Sequence, residues 1–574
     1  MIPWEGLRKD VFLDRYALRR GGKVVESVPE QMAARVARAL AVDSSQENRF
    51  EQLVSSFRFL PAGRVLAGAG AEERATYYNC FVLGIGSRST VGRDSRRGIM
   101  QTLTDMVEIS ARGGGVGINW SVLRPEGSEI RGVRGMSSGP LRWMAAADAL
   151  ADQIRQGGSR TAALMFMLDD WHPDVRRFIR SGKTFGRANY SVAVSDDFMQ
   201  ALEADGDWVL SFPDISKART KYDGLWSGDI REWRALGGGL VGHEVVKARD
   251  LWREICEAAW ATGNPGVVFL DRCNRLSTTS YMDRLLGTNP CGEQPLPEDG
   301  SCNLGAINLV AHRKAGGGVD HLLLRETVSV AVEMLDRVID TSAPITEEIH
   351  RKEALTRRVG LGIMGLADLF LLEKVRYGGE ESLALLEEVM ETVRDTAYET
   401  SSFLSVREGR APAYKPSFLD GEFVQRLPLR VKGQIHRDGI RNLALTSQAP
   451  TGTISLLAGV SSGIEPHFAR EYLRRDATGE HLVKHPLMQE DASWVVTASG
   501  LTAEEHLRMQ STMQGFVDSA ISKTINLGGQ ASVEDVSDAL RMAYDLGCKG
   551  VTVYRDGSLD GQVLSCPAGE GKCE

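Results

Sequence analysis

The 574-residue sequence predicts an α/β protein, and three observations lead there. Short runs rich in β-branched and aromatic residues alternate with segments of helical period through the middle of the chain. The composition, 42% hydrophobic and 25% charged, is that of a chain that buries a large core in water. No apolar run approaches the ~18 residues of a membrane-spanning helix.

Residues 1–57 read as helical. Pro29 suits a first helical turn, and Met32, Val36, Ala37 and Leu40 mark one apolar face. Strands are expected at Tyr190–Val194, Trp208–Phe212 and Gly266–Leu270. Helices are expected from Ser382 to about Arg407 and after Thr502, whose spacing to Glu505 is that of a capping box. Ser532 opens a helix that stops at Gly547, and Gly550–Tyr554 then reads as a buried strand. Residues 559–574 have the composition of a flexible tail. The expected division is a helical region over 1–57, an α/β body over 58–558 and the tail.

A net charge of −8 argues against a surface for polymeric nucleic acid, which wants a basic footprint. Small anionic ligands stay compatible with it. The start, Met1 to Asp10, has no apolar signal core, which leaves the cytoplasm as the default. The 8 cysteines are too dilute for a disulfide scaffold and show no zinc-ribbon spacing. Cys256, Cys273 and Cys548 sit in apolar or helical contexts and read as packing residues.

Chemistry concentrates at Asn289-Pro290-Cys291-Gly292-Glu293. In an extended segment the amide, thiol and carboxylate of Asn289, Cys291 and Glu293 would face one substrate. Pro290 and Gly292 suit a thiol displayed at a loop tip. Alone, the stretch is equally compatible with a turn around an inert cysteine. Pro450, Thr451, Gly452, Thr453, Ile454 and Ser455 form a run of small and hydroxyl residues suited to a phosphate, or an ordinary turn. The glycines from Gly113 to Gly117 let the main chain approach a ligand or another strand closely. Cys566 and Cys573, on the tail, can visit a buried disulfide and exchange with it, or are an exposed pair without a role.

Together these segments resemble the catalytic chain of ribonucleotide reductases, especially the adenosylcobalamin-dependent branch. The match runs through Asn79-Cys80-Phe81, Asp94-Ser95, Asn289–Glu293 with Ser301–Asn308, Ala449–Ser455 with Ser461–Pro466, and Gly550–Gly557. The resemblance implies a ten-stranded α/β barrel of two antiparallel five-stranded halves, with a central finger loop carrying the radical cysteine at Cys291. It implies that Asn289 and Glu293 serve the substrate hydroxyls and that Cys80 and Cys302 supply electrons by becoming a disulfide. Asn79 and residues 450–455 would bind substrate, a ribonucleotide expected to be a diphosphate. Cys566 and Cys573 would relay electrons from thioredoxin or a glutaredoxin-like reductant. A deoxynucleoside triphosphate effector with Mg²⁺ would bind at Asp94, Ser95, Gly114, Arg124 and Arg160, at the interface of a homodimer.

The alternative branch, a large subunit served by a separate radical-generating protein, uses two adjacent tyrosines near the end of the barrel. Here Tyr554 lies between Val553 and Arg555, which favours adenosylcobalamin. The Asp-x-His-x-x-Gly pattern of cobalamin mutases is absent, so no protein metal ligand is expected. Residues 1–57 are also too short for the extra N-terminal domain by which some relatives sense dATP.

Overall fold

The computed structural model describes residues 4–71, 76–130, 135–156, 160–186, 188–476, 479–488, 492–558 and 564–565. Ten strands share one sheet: β1 (Phe59–Pro61), β2 (Cys80–Leu83), β3 (Gly115–Asn119), β4 (Leu164–Asp169), β5 (Ala188–Ala193), β6 (Gly266–Val268), β7 (Gly300–Asn308), β8 (Val359–Met364), β9 (Thr524–Leu527) and β10 (Gly550–Arg555). Their order is β8-β7-β2-β3-β4-β5-β6-β10-β9, with β1 paired antiparallel to β7. Neighbours from β2 through β6 run parallel, as do β7 with β8 and β9 with β10. The two junctions, β2 with β7 and β6 with β10, are antiparallel. Parallel strands covered on both faces read as unbroken apolar runs. Leu164–Asp169 and Val359–Met364, buried at every position, do so.

Helices cover the sheet. Three precede it: α1 (Leu7–Arg15), α2 (Pro29–Leu40) and α3 (Ser44–Ser55). Pro29 does open α2, and Met32, Val36, Ala37 and Leu40 are buried. The others used below are α4 (Arg96–Ala111), α5 (Ala248–Thr262), α6 (His321–Thr341), α7 (Leu366–Glu373), α8 (Glu380–Glu408), α9 (Ala503–Gln514) and α10 (Val533–Asp545). Both capping boxes form: Thr502 with Glu505 opens α9, and Ser532 with Asp535 opens α10.

One expectation needs correction. Gly266–Leu270 is a strand only to Val268, because Leu270 already opens a short helix, Leu270–Arg275. Trp208–Phe212 is a strand as expected, and it pairs with Leu240–Lys247 in a hairpin separate from the large sheet. Alternation of residue types marks a strand without saying which partner it takes.

A second hairpin positions the site. Leu285–Thr288 pairs antiparallel with Pro295–Pro297, and Asn289–Gln294 forms its tip. It lies hard against β3: a Cβ on Gly117 would stand 1.8 Å from Thr288 O, and one on Gly115 3.0 Å from Pro290 Cγ. The glycines of this strand therefore admit another backbone, the use the sequence suggested for them.

Candidate active site

The hairpin tip is a turn and not the extended arm the spacing suggested. Gly292 N donates to Asn289 O at 3.0 Å, with Gly292 at φ +83°. The convergence survives for a different reason: the turn itself folds Asn289, Cys291 and Glu293 onto one cavity. The tip is tethered from several directions. Asn189 Nδ2 on β5 donates to Pro290 O at 3.2 Å, while Ser447 Oγ and Ala520 N each donate to Glu293 O at 2.9 Å.

The cavity holds about 270 Å³ and is lined by Asn79, Cys80, Asn289, Cys291 and Glu293 on one side. Pro450, Thr451, Gly452, Thr453 and Ile454 line it as well. Ser455 is used internally, its hydroxyl 2.7 Å from that of Ser462. Thr451 Oγ1 accepts from Gly463 N at 2.8 Å, bracing the loop from behind. Arg64 also lines the cavity, its guanidinium packed over Gly113. Sequence reading did not pick it out, because an arginine next to Pro61-Ala-Gly carries no motif until β1 brings it here.

Cys80 and Cys302 are direct cross-strand partners in the β2–β7 ladder. Residues so paired have Cα atoms roughly 4.5–5.5 Å apart, inside the ~4.4–6.8 Å that a disulfide spans. Both are buried free thiols. Asn289 Nδ2 donates to Cys80 Sγ at 3.1 Å, and the Cys80 thiol donates to Glu293 Oε1 at 3.6 Å. The Cys80 sulfur, an amide and a carboxylate thus form one hydrogen-bonded group, with Cys302 across the ladder from it.

Cys291 is solvent-accessible, and it lines both this cavity and a second one of about 460 Å³. Its thiol is still enclosed enough that burial, then the neighbouring Glu293, pushes its pKa well up. Burial also raises Cys80, reinforced by Glu293, Cys302 and Cys291, and raises Cys302. Nucleophilic cysteines are held as thiolates by lowered pKa. Three thiols kept protonated suit hydrogen-atom and proton donation instead. Glu293, 2% exposed, is raised by burial and held down in part by Asn289. One carboxylate oxygen, Oε2, is buried and makes no hydrogen bond among the described residues, leaving a basic atom for a substrate hydroxyl.

The second cavity is lined by Asn189, Ser191, Thr262, Ser522, Thr552 and Tyr554, with Gly263, Gly266, Gly292 and Gly550 between them. Tyr554 remains a single tyrosine there. Cys256, Cys273 and Cys548 are buried elsewhere, as packing residues should be.

The residues expected to bind an effector divide. Arg124 Nε donates to Asp94 Oδ2 at 2.6 Å, Tyr222 OH donates to the same oxygen at 2.8 Å, and Ser95 caps α4 through Gly98 N. Gly114 stands apart: it lies beyond the far end of α4, whose 16 residues span ~24 Å, and packs against Phe81 and Ile109. Arg160 lies in a two-residue strand, Arg160–Thr161. Cys566 and Cys573 lie outside the described residues.

An amide, a carboxylate and two protonated thiols around one cavity, with a third thiol paired across the ladder and a hydroxyl loop and an arginine in the same wall, suit a reductase of a phosphorylated substrate. Residues 78–554 match the ribonucleotide reductase barrel domain, and residues 8–74 match the ribonucleotide reductase all-alpha domain. The chain belongs to the ribonucleotide reductase large-chain family, and it is a reductase of ribonucleotides. It is 36% identical to a vitamin B12-dependent ribonucleoside-diphosphate reductase of Thermoplasma acidophilum over 560 residues, 92% of this chain and 67% of that protein. A protein of the same description from Mycobacterium tuberculosis (strain CDC 1551 / Oshkosh) is 35% identical over 604 residues, 97% of this chain and 80% of that protein. The ribonucleoside-diphosphate reductase subunit alpha of Chlamydia muridarum is 29% identical over 511 residues, covering 82% and 48%. Among the described residues no helix is long and apolar enough to cross a membrane.

Proposed function

We propose that this chain reduces ribonucleoside diphosphates to 2′-deoxyribonucleoside diphosphates by a thiyl radical on Cys291, with adenosylcobalamin as radical source. The observation that carries the reading is the position of Cys291, between a cavity holding Cys80, Asn289 and Glu293 and a second, glycine-lined cavity.

The second cavity fits the cofactor's reactive end. The glycines leave stretches of its wall without side chains, and a Cβ on Gly292 would meet nothing within 4 Å. Asn189, Thr262, Ser522 and Thr552 would hold the group through polar contacts. When bound, adenosylcobalamin supplies a homolytically labile bond beside the thiol. On the substrate side Cys291 takes the 3′-hydrogen, and Glu293 accepts the 3′-hydroxyl proton while Asn289 orients the hydroxyls. Cys80 and Cys302 give two electrons and two protons. One proton goes with the 2′-hydroxyl as it leaves as water, and the other hydrogen takes its place on C2′, while Glu293 returns its proton to the 3′-oxygen. The two sulfurs become a disulfide, and Cys291 returns its hydrogen to C3′. Asn79, Arg64 and residues 450–454 hold the substrate, the last two through its phosphates. Cys566 and Cys573 re-reduce the disulfide by exchange and pass the oxidation to a thioredoxin-like partner.

The sheet is best read as the closed barrel of two antiparallel five-stranded halves. Supporting this, Leu361 of β8 makes a parallel bridge to Thr446, and Gln448 makes one to Ile521, just before β9. The domain division remains 1–57, 58–558 and 559–574. A homodimer with a deoxynucleoside triphosphate and Mg²⁺ near Asp94, Ser95, Arg124 and Arg160 completes the proposal.

Purified chain with adenosylcobalamin and a dithiol should convert a ribonucleoside diphosphate with no second protein. Turnover only after a separate radical-generating subunit is added would assign it to the other branch.

A further inference from the structure

Three side chains distant in sequence meet at the base of the hairpin formed by Glu471–Asp476 and Gly479–Lys484. Asp368 sits in the first turn of α7, His467 precedes the hairpin, and His485 follows it directly. Asp368 Oδ1 lies 2.9 Å from His467 Nε2 and 3.0 Å from His485 Nε2. The ring centroids are 4.0 Å apart, and one donor atom from each residue falls within 4.8 Å of the others. Asp368 is 3% exposed, and its other oxygen is committed, accepting from Ser461 N at 2.7 Å.

The Asp368–His467 contact has the length of a hydrogen bond but not its direction. Asp368 Oδ1 and His467 Nε2 are both buried atoms that make no hydrogen bond among the described residues. A ring N–H aimed at the carboxylate would satisfy both at once. A carboxylate oxygen and a ring nitrogen that crowd together without a directed hydrogen bond are what lone pairs aimed at a common cation produce. Two imidazoles and one carboxylate are a recurrent donor set for zinc.

We propose that Asp368, His467 and His485 bind one divalent cation of the zinc type through Oδ1 and the two Nε2 atoms, with water as fourth ligand. Zinc–ligand bonds of ~2.0–2.2 Å set tetrahedral ligand atoms roughly 3.3 Å apart, so the cluster opens by a few tenths of an ångström to admit the ion. The ion's role is structural. It pins both feet of the hairpin to α7, and the segment it anchors runs back through Gly463, whose N–H braces Thr451 in the substrate cavity. The site touches neither substrate nor the three thiols.

The test is titration of the chelator-treated full chain with Co²⁺. One equivalent should give the visible bands of tetrahedral cobalt and be displaced by Zn²⁺. Asp368→Asn and His467→Gln should each weaken binding by at least about tenfold, with circular dichroism confirming that they fold. If either variant fails to fold, X-ray absorption of the zinc-loaded natural chain decides: two imidazole shells and no sulfur are expected. No cobalt binding, full-strength binding by both folded variants, or a sulfur shell from cysteine ligation would each overturn the assignment.

Discussion

Glu293 and Glu353 show how burial sets function and cost at single residues. In the proposed reaction Glu293 accepts a proton, and burial raises its pKa above that of an ordinary carboxylate. Activity should therefore climb with pH through an elevated acidic limb. Glu293→Gln should lose that limb and about 10²–10⁴-fold in kcat, as a general base does. Glu353, 8% exposed and bonded by Ser301 Oγ at 2.7 Å, is raised by burial to about 7. A carboxyl raised on folding binds protons more tightly in the native state, so it costs stability as pH rises from about 4.5 to 7 and steadily above. Glu353→Gln should stabilise the chain at pH 8 by at most about 3 kcal/mol and change little at pH 4, measured by urea unfolding. Equal effects at both pH values would contradict this. At this scale much was legible in the sequence: Asn289, Cys291 and Glu293 converge as their types suggested. Arg64 was not, because its relevance arises only when β1 pairs with β7.

Among the elements, the hairpin against β3 decides whether the site exists. Gly117→Ala places a methyl carbon on Thr288 O, and backbone cannot yield cheaply there. It should destabilise by several kcal/mol and displace the tip, cutting kcat far more than nucleotide affinity. A variant with normal melting and normal kcat would show that the hairpin is not held as described. The glycine run foretold this close approach, whereas the tip's conformation was misjudged: a two-residue period was assumed where Gly292 at positive φ makes a turn. Helix starts were read well, since Thr502 with Glu505 and Ser532 are local signals. Strand partners are not local: Trp208–Phe212 is the strand its residues suggested, but nothing within it names Leu240–Lys247 as its partner.

For the whole molecule, the account joins two sulfurs 222 positions apart in the chain, and only the antiparallel junction of β2 with β7 sets Cys80 opposite Cys302. Both thiols are buried, so in the proposed cycle their disulfide needs a reductant that reaches inside. Cys566→Ser with Cys573→Ser should leave single turnover and reaction with small dithiols intact and impair thioredoxin-driven cycling severalfold or more. Equal loss in both assays would refute the relay. Cys291→Ala should bind nucleotide normally and reduce none.

The most direct measurement is a single turnover by the pre-reduced chain with a ribonucleoside diphosphate, with and without adenosylcobalamin, and no other protein or reductant. Deoxynucleotide should form only with the cofactor, and peptide mapping afterwards should find Cys80 joined to Cys302. No product with the cofactor present, or product without that disulfide, would contradict the account.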